Sequence, residues 1–95
     1  MIQRLVLLKL TDRSRRDAIA AEIRRVLPTI PGVRRVEVGR PADADAEVWD
    51  LMFAVWFDRL ADVAVYRDHP DHVAFVAATL TPNVEVRKAW NFTVE

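Results

Sequence analysis

The ten residues Val48 to Phe57, with the sequence VWDLMFAVWF, decide the fold of the chain. Their length fits one β-strand, in which alternate side chains point to opposite faces of a sheet. One face would carry Trp49, Leu51, Phe53, Val55 and Phe57, and the other Val48, Met52, Ala54 and Trp56. Asp50 is the only polar residue, so both faces of this strand must be covered by other apolar groups.

Three further strands are predicted around this one. Ile2 to Leu10 is rich in leucine and β-branched residues and is also apolar on both faces. Val33 to Val38 is a shorter strand, followed by a polar loop over residues 40–47. After a turn at Thr81-Pro82-Asn83, the last strand alternates, and its apolar side consists of Val84, Val86, Trp90, Phe92 and Val94.

Two helical regions lie between these strands. Ser14 followed by Asp17 resembles a capping box, and apolar residues then recur at helical spacing until Pro31. Asp58 is placed to cap the second helical region. Pro70 cannot continue a helix but suits the first position of a new one, so the second region is predicted to be two short helices.

The order strand, helix, strand, strand, helix pair, strand predicts an α+β fold in one domain spanning residues 1–95. This is the split β-α-β pattern of a ferredoxin-like sandwich, βαββααβ, with four antiparallel strands and the helices on one face. Because the first and third strands are apolar on both sides, the uncovered sheet face would be an exposed apolar patch. We therefore expect a homodimer in which two such faces meet as a dimeric α+β barrel.

Composition excludes several classes of function. Basic and acidic residues number 14 each, so a general footprint for nucleic acid or for an anionic membrane is not expected. The chain has no cysteine, which excludes thiolate chemistry and fits a cytoplasmic location, and its Arg, Ala, Val and Asp content is typical of a bacterium. With two glycines and Ser14 as the only serine, neither a glycine-rich cofactor loop nor a serine nucleophile is expected.

The stretch Tyr66 to Phe75, YRDHPDHVAF, holds both histidines and the only tyrosine. His72 shares a helical stripe with apolar residues and should point inward, whereas His69 precedes Pro70 at a cap position and should be more exposed. A metal site is not expected, because the proline separates the histidines and no third strong ligand is near. Purely structural roles remain open: His69 and Pro70 can start a helix, and His72 can hydrogen-bond inside the core.

The pattern Tyr-x-x-His-Pro-x-His-x-x-Phe in this stretch resembles the signature of the stress-responsive dimeric α/β-barrel (Dabb) family. Leu7-Leu8-Lys9-Leu10 and Val36-Glu37-Val38-Gly39 resemble its first and second strands. The resemblance implies a homodimeric barrel but no single reaction, because many members have no assigned activity. Members in plants include polyketide cyclases, and cofactor-free monooxygenases share the barrel architecture.

In those cyclases the motif tyrosine and the second motif histidine are catalytic, which implies the same roles for Tyr66 and His72. Closing a carbon–carbon bond needs a base beside a carbonyl and a donor for the enolate oxygen, and no cofactor. We expect an apolar pocket whose walls include Trp49, Phe53, Phe75 and Trp90.

The plant cyclase also has pocket histidines where this chain has Arg4 and a residue near Leu51, which implies a different substrate or none. Two functions therefore stay open. One is a stress-response homodimer that binds a small hydrophobic molecule or is purely structural. The other is a cyclase-like lyase with His72 as general base and Tyr66 as hydrogen-bond donor, and a monooxygenase ranks third.

Overall fold

The computed structural model describes residues 1–43 and 48–95, so part of the predicted loop over residues 40–47 lies outside the described residues. The strands are β1 (Ile2–Leu10), β2 (Arg35–Gly39), β3 (Leu51–Phe57) and β4 (Val84–Thr93). The helices are α1 (Arg16–Val26), α2 (Leu60–Asp68) and α3 (Pro70–Phe75), which continues into a π-helical turn, Val76–Leu80. The predicted order of strands and helices is confirmed.

Within the described residues, the strands form one four-stranded antiparallel sheet in the order β2-β3-β1-β4. The two central strands are β1 and β3, which are the strands predicted to be apolar on both faces. Val6 of β1 lies opposite Phe53 of β3 and Ala89 of β4. This arrangement confirms the ferredoxin-like α+β fold.

The helices cover one side of the sheet, which we call the inner face, and the hydrophobic core lies between them. The side chains buried there are Val6, Leu8 and Leu10 of β1, Leu51, Phe53, Val55 and Phe57 of β3, and Ile19, Ala20, Ile23, Leu27, Ile30, Val63, Tyr66, Phe75 and Leu80 from the helical layer. The period of two along β1 and β3 thus places every second residue against the helices.

The opposite side, the outer face, has an apolar centre, with polar residues such as Gln3, Arg35, Glu37 and Lys88 around it; its apolar residues include Leu5, Leu7, Met52, Ala54, Trp56, Trp90 and Phe92. The strand register puts Leu5 beside both Ala54 and Trp90, so these side chains point to the same side. Trp90 and Phe92 are 44% and 47% exposed. The outer face is therefore an apolar surface of the kind predicted from the sequence. Among the described helices, none has both the length and the apolar character needed to span a bilayer.

Strands β2 and β3 begin later than predicted. Val33 still belongs to the turn at Gly32, whose φ of 89° suits glycine, since the Val33 amide donates to the Ile30 carbonyl oxygen at 3.2 Å. Asp50 precedes β3, and its carboxylate accepts from the Leu10 amide at 2.8 Å and from Arg13 Nε at 2.7 Å. This side chain ends the regular pairing, so Trp49 lies outside the strand.

The helix caps predicted at Ser14 and Asp58 were wrong. Asp12, not Ser14, caps the turn that leads into α1, because its Oδ1 accepts from the Ser14 amide at 3.0 Å. Asp58 forms an ion pair with Arg34 at 2.6 Å and does not cap α2. The start of α3 at Pro70 is as predicted, with His69 before it.

Candidate functional site

A cavity of about 360 Å³ lies between the helical layer and the inner face of the sheet. Its sheet side consists of Arg4 and Val6 of β1, Phe53 of β3, and Arg87 and Ala89 of β4. Its helical side consists of Tyr66, Arg67, His72, Val73, Val76, Ala77, Leu80 and Thr81. This size is within the range that holds small organic molecules, and most of the lining is apolar.

Tyr66 projects from α2 and is 1% exposed. Its ring meets that of Phe57 edge-on, with the centroids 5.1 Å apart and the planes at 65°. The Tyr66 hydroxyl makes no hydrogen bond with any residue that the structure describes. Across residues 1–43 and 48–95, no fully buried side-chain nitrogen or oxygen lacks a partner. Because the Tyr66 hydroxyl has no such partner, it is not fully buried, and it is accessible from the cavity that Tyr66 lines.

Tyr66 remains protonated at neutral pH. Burial raises the pKa of its phenol well above the ordinary value of 10, although the positive charges of Arg4 and Arg87 oppose the shift. A protonated phenol without a protein acceptor is a donor available to a ligand.

His72 stands beside Tyr66 at the first turn of α3. The two rings lie 4.3 Å apart between centroids, with their planes at 48°. Nδ1 of His72 lies 3.0 Å from the backbone carbonyl oxygen of Arg67. A carbonyl oxygen can only accept, so this contact assigns the hydrogen of the neutral imidazole to Nδ1. Nε2 then carries the free lone pair and is the nitrogen left for a ligand in the cavity.

The surroundings of His72 favour this neutral form. Burial lowers its pKa below 6.5, and the bond to the Arg67 carbonyl opposes the shift. The positive charges of Arg4, Arg87 and Arg67 lower the pKa further. At pH 7 the cavity therefore contains a neutral imidazole base next to a protonated phenol.

His69 and Pro70 shape the backbone that presents His72. Nδ1 of His69 accepts a hydrogen bond from the Asp71 amide at 3.1 Å, which caps α3, and Pro70 occupies its first turn. His69 is half-buried and is not part of the cavity wall. Its position fits the helix-starting role expected for the first histidine of the motif.

The structure brings one of the four expected wall residues, Phe53, to the cavity that holds Tyr66 and His72. Phe75 is buried and faces α1, in a depression that also contains Val26. Trp49 lies in another depression with Leu7 and Met52. Trp90 belongs to the outer face, because it is paired with Leu5 across the sheet.

The cavity wall also contains Arg4, Arg67 and Arg87, none of which was predicted as a site residue, although the family resemblance placed Arg4 at a pocket position. The sequence carries one usable signal. Arg4 stands in the alternating series of β1 that includes Val6 and Leu8, so it interrupts a buried face. Among residues 1–43 and 48–95, no group of three or more His, Cys, Asp or Glu side chains could hold a metal ion.

The fold and this cavity define a small ferredoxin-like α+β protein with a tyrosine and a histidine in its pocket. The chain belongs to the stress responsive A/B barrel domain family, Dabb, whose sequence profile matches residues 2–94. The family assignment made from Tyr66 to Phe75 is thereby confirmed.

Solved structures agree with this assignment. A Dabb family protein from Mesorhizobium loti is 27% identical, with 99% of this chain and 96% of that chain covered and a TM-score of 0.86. A dimeric protein of unknown function from Bacteroides fragilis is 28% identical, with coverage of 98% and 95% and a TM-score of 0.78. The hydroxynitrile lyase from Passiflora edulis, 16% identical over 99% and 93% of the chains, has a TM-score of 0.82 and shares the fold. No curated protein matches the chain in sequence.

Proposed function

We propose that this protein is a homodimeric, single-domain binder of a small hydrophobic molecule, which it takes into the cavity beside Tyr66 and His72. The observation that carries the proposal is the Tyr66 hydroxyl. It is a hydrogen-bond donor without a partner among the described residues, and it faces a cavity whose wall is mostly apolar. A purely structural motif would use this hydroxyl inside the core. The family's description supports a role in stress response. A chain without cysteine is suited to the cytoplasm.

The outer face supports the dimer. It is apolar and lies on the other side of the sheet from the helices, so a second copy can cover it without entering the cavity. The similar Bacteroides fragilis protein is described as dimeric. Two outer faces in contact would form the barrel across the two-fold axis.

A cofactor-independent lyase of the polyketide-cyclase type is the second candidate, favoured by the tautomer of His72. With Nδ1 held by the Arg67 carbonyl, Nε2 can take a proton from a carbon next to a carbonyl. The electron pair of the broken C–H bond moves to the carbonyl oxygen, which becomes an enolate. The Tyr66 hydroxyl can donate a hydrogen bond to that oxygen. The enolate carbon then attacks a second carbonyl of the same substrate, and the imidazolium returns the proton to the new alkoxide. The monooxygenase alternative rests on fold analogy alone.

Ligand-detected saturation-transfer NMR tests the binding proposal. The probes are β-polyketide thioester mimics and aromatic acids, measured on wild type, Tyr66→Phe and His72→Ala, with Val65→Ala as the matched control on the exposed side of α2. We expect saturation transfer to wild type and Val65→Ala, and weaker transfer to the two cavity variants. Light scattering must show the same particle mass for all four proteins. No transfer to wild type from any probe would contradict the proposal.

The lyase candidate needs a separate measurement. In D₂O, a bound β-keto thioester mimic should gain deuterium at the acidic carbon faster than in buffer, and His72→Ala should abolish the acceleration. Binding without any acceleration would limit the protein to the binding function.

A further inference from the structure

The cavity wall, although mostly apolar, carries three positive charges and no negative charge among the described residues. Arg4, Arg67 and Arg87 all line it, whereas no aspartate or glutamate of the described residues does. The chain as a whole has no net charge, so this concentration of one sign is local. A pocket with like charges and apolar walls concentrates ligands of the opposite charge.

These three arginines also differ from most others in lacking an acidic partner. Six arginines form ion pairs with aspartate or glutamate: Arg13, Arg25, Arg34, Arg35, Arg40 and Arg59. Within residues 1–43 and 48–95, Arg4 donates only to Asn91 Oδ1 at 3.1 Å, and Arg67 and Arg87 have no side-chain partner. The donors of their guanidinium groups are therefore available to a ligand.

Arg4 and Arg87 lie at opposite ends of the part of the sheet that lines the cavity. Arg4 lies opposite Asn91 and Arg87 lies opposite Leu8, so four residues of strand, about 13 Å, separate them along β4. The pair Val6 and Ala89 lies midway between them. Tyr66 and His72 face this part of the sheet from the helices, and the positive charges of the two arginines act to lower the pKa of both side chains.

Partial burial of the charged Arg4 side chain favours the binding of an anion beside it. Its side chain is half-buried at the edge of the core, and desolvation, with the repulsion of Arg67 and Arg87, lowers its pKa, although Tyr66 opposes the shift. An oxyanion bonded to a guanidinium would remove this penalty and form short charge-assisted hydrogen bonds.

We propose that the cavity selects a small organic anion, with its oxyanion head group held between Arg4 and Arg87 above Val6 and Ala89, and its apolar body against Phe53, Val76 and Leu80. This inference rests on the proposed function, since it names the class of molecule that the same cavity binds. A carboxylate and a phosphate monoester are the two head groups with this chemistry, and the guanidinium fork fits both.

Isothermal titration calorimetry with three probes of equal chain length tests the proposal: hexanoate, hexyl phosphate and hexanamide. The proteins are wild type, Arg4→Met, Arg87→Met and the control Arg24→Met, which removes an exposed arginine of α1 that is outside the cavity. We expect at least one anion to bind wild type about tenfold or more tightly than hexanamide, as charge-assisted hydrogen bonds give. This preference should shrink in Arg4→Met and Arg87→Met, persist in Arg24→Met, and weaken as NaCl is raised.

Each result has a definite meaning. Preference for hexanoate or for hexyl phosphate supports the proposal and identifies the head group. Equal binding of hexanamide and both anions overturns it but leaves the proposed binding function intact. Equal loss of anion affinity in Arg24→Met and Arg87→Met also overturns it, because the effect would then come from overall charge. No binding of any probe overturns this inference, while the saturation-transfer panel decides the proposed function. If Arg4→Met fails to fold, Arg87→Met still decides, because Arg87 is exposed and its side chain has no hydrogen-bond or ion-pair partner among the described residues.

Discussion

The imidazole of His72 lies against the phenol of Tyr66, with the ring centroids 4.3 Å apart, and the two rings come from different helices. The break at Pro70 produces this contact, because it ends α2 just after Tyr66 and starts α3 just before His72. A continuous helix would place residues six positions apart on different sides of its axis. The proline is therefore what allows a base and a donor so close in sequence to share one cavity.

Tyr66→Phe should separate packing from binding. The variant keeps the ring and its edge-on contact with Phe57, and it removes a hydroxyl with no partner among the described residues. We expect the free energy of unfolding in urea, at fixed protein concentration, to change by less than about 1 kcal/mol, while ligand affinity falls. A loss above about 2 kcal/mol would show that the hydroxyl is structural.

His72 should make stability depend on pH. Burial, with the charges of Arg4, Arg87 and Arg67, lowers its folded-state pKa below the unfolded value of 6.5. The unfolded state therefore binds more protons as pH falls, so the contribution of neutral His72 is complete above pH 6.5 and is lost as pH falls through the folded pKa. Urea unfolding between pH 7 and pH 5 should show this slope in wild type.

The matched variants for this pH effect are His72→Asn and Arg87→Met. The asparagine cannot titrate and should flatten the slope. Removing the Arg87 charge should raise the pKa of His72, read from the imidazole proton shifts in NMR. An unchanged slope in His72→Asn would assign the pH dependence to other groups.

The period of two along the strands allowed the fold and the apolar outer face to be predicted, but not which face of β4 lines the cavity. Trp90 shows why. Its alternation with Asn91 is clear in sequence, yet only the pairing with Leu5 reveals that its side faces away from the helices. Trp49 was predicted to lie in β3. The hydrogen bonds of the Asp50 carboxylate to the Leu10 amide and to Arg13 interrupt the regular strand pairing, so β3 begins only at Leu51. In the sequence Arg87 looked like an ordinary exposed residue of β4. Its place in the cavity wall could not be predicted, because it depends on how the helix pair packs against β4.

The outer face should hold the dimer together. Leu5→Glu places a carboxylate in the middle of that face, where a second copy would bury it without a partner at a cost of several kcal/mol. Leu60→Glu is the matched control, since Leu60 is 60% exposed on α2. Sedimentation velocity should show a monomer for Leu5→Glu and a dimer for wild type and Leu60→Glu. A dimer of Leu5→Glu with wild-type stability would move the interface elsewhere.

Asp50 should be the acidic residue whose loss destabilises the fold most. It is 4% exposed, and its carboxylate accepts from the buried Leu10 amide at 2.8 Å and from Arg13 Nε at 2.7 Å. Burial alone would raise its pKa, but these two hydrogen bonds outweigh burial and hold the pKa below 3.8. Its contribution is therefore present above pH 3.8 and is lost as pH falls through the lower folded value.

Replacing Asp50 should reveal how that contribution is divided. Asp50→Ala leaves the Leu10 amide buried without an acceptor, which should lower the free energy of unfolding by about 1–3 kcal/mol. Asp50→Asn retains an oxygen for that amide and loses the charge that faces Arg13, so it should cost less. Asp58→Ala, which breaks only the exposed pair with Arg34, should cost at most about 1 kcal/mol. Equal losses in Asp50→Ala and Asp58→Ala, measured by urea unfolding at pH 7, would contradict the view that burial makes the Asp50 hydrogen bonds important, because the two aspartates differ chiefly in their exposure to water.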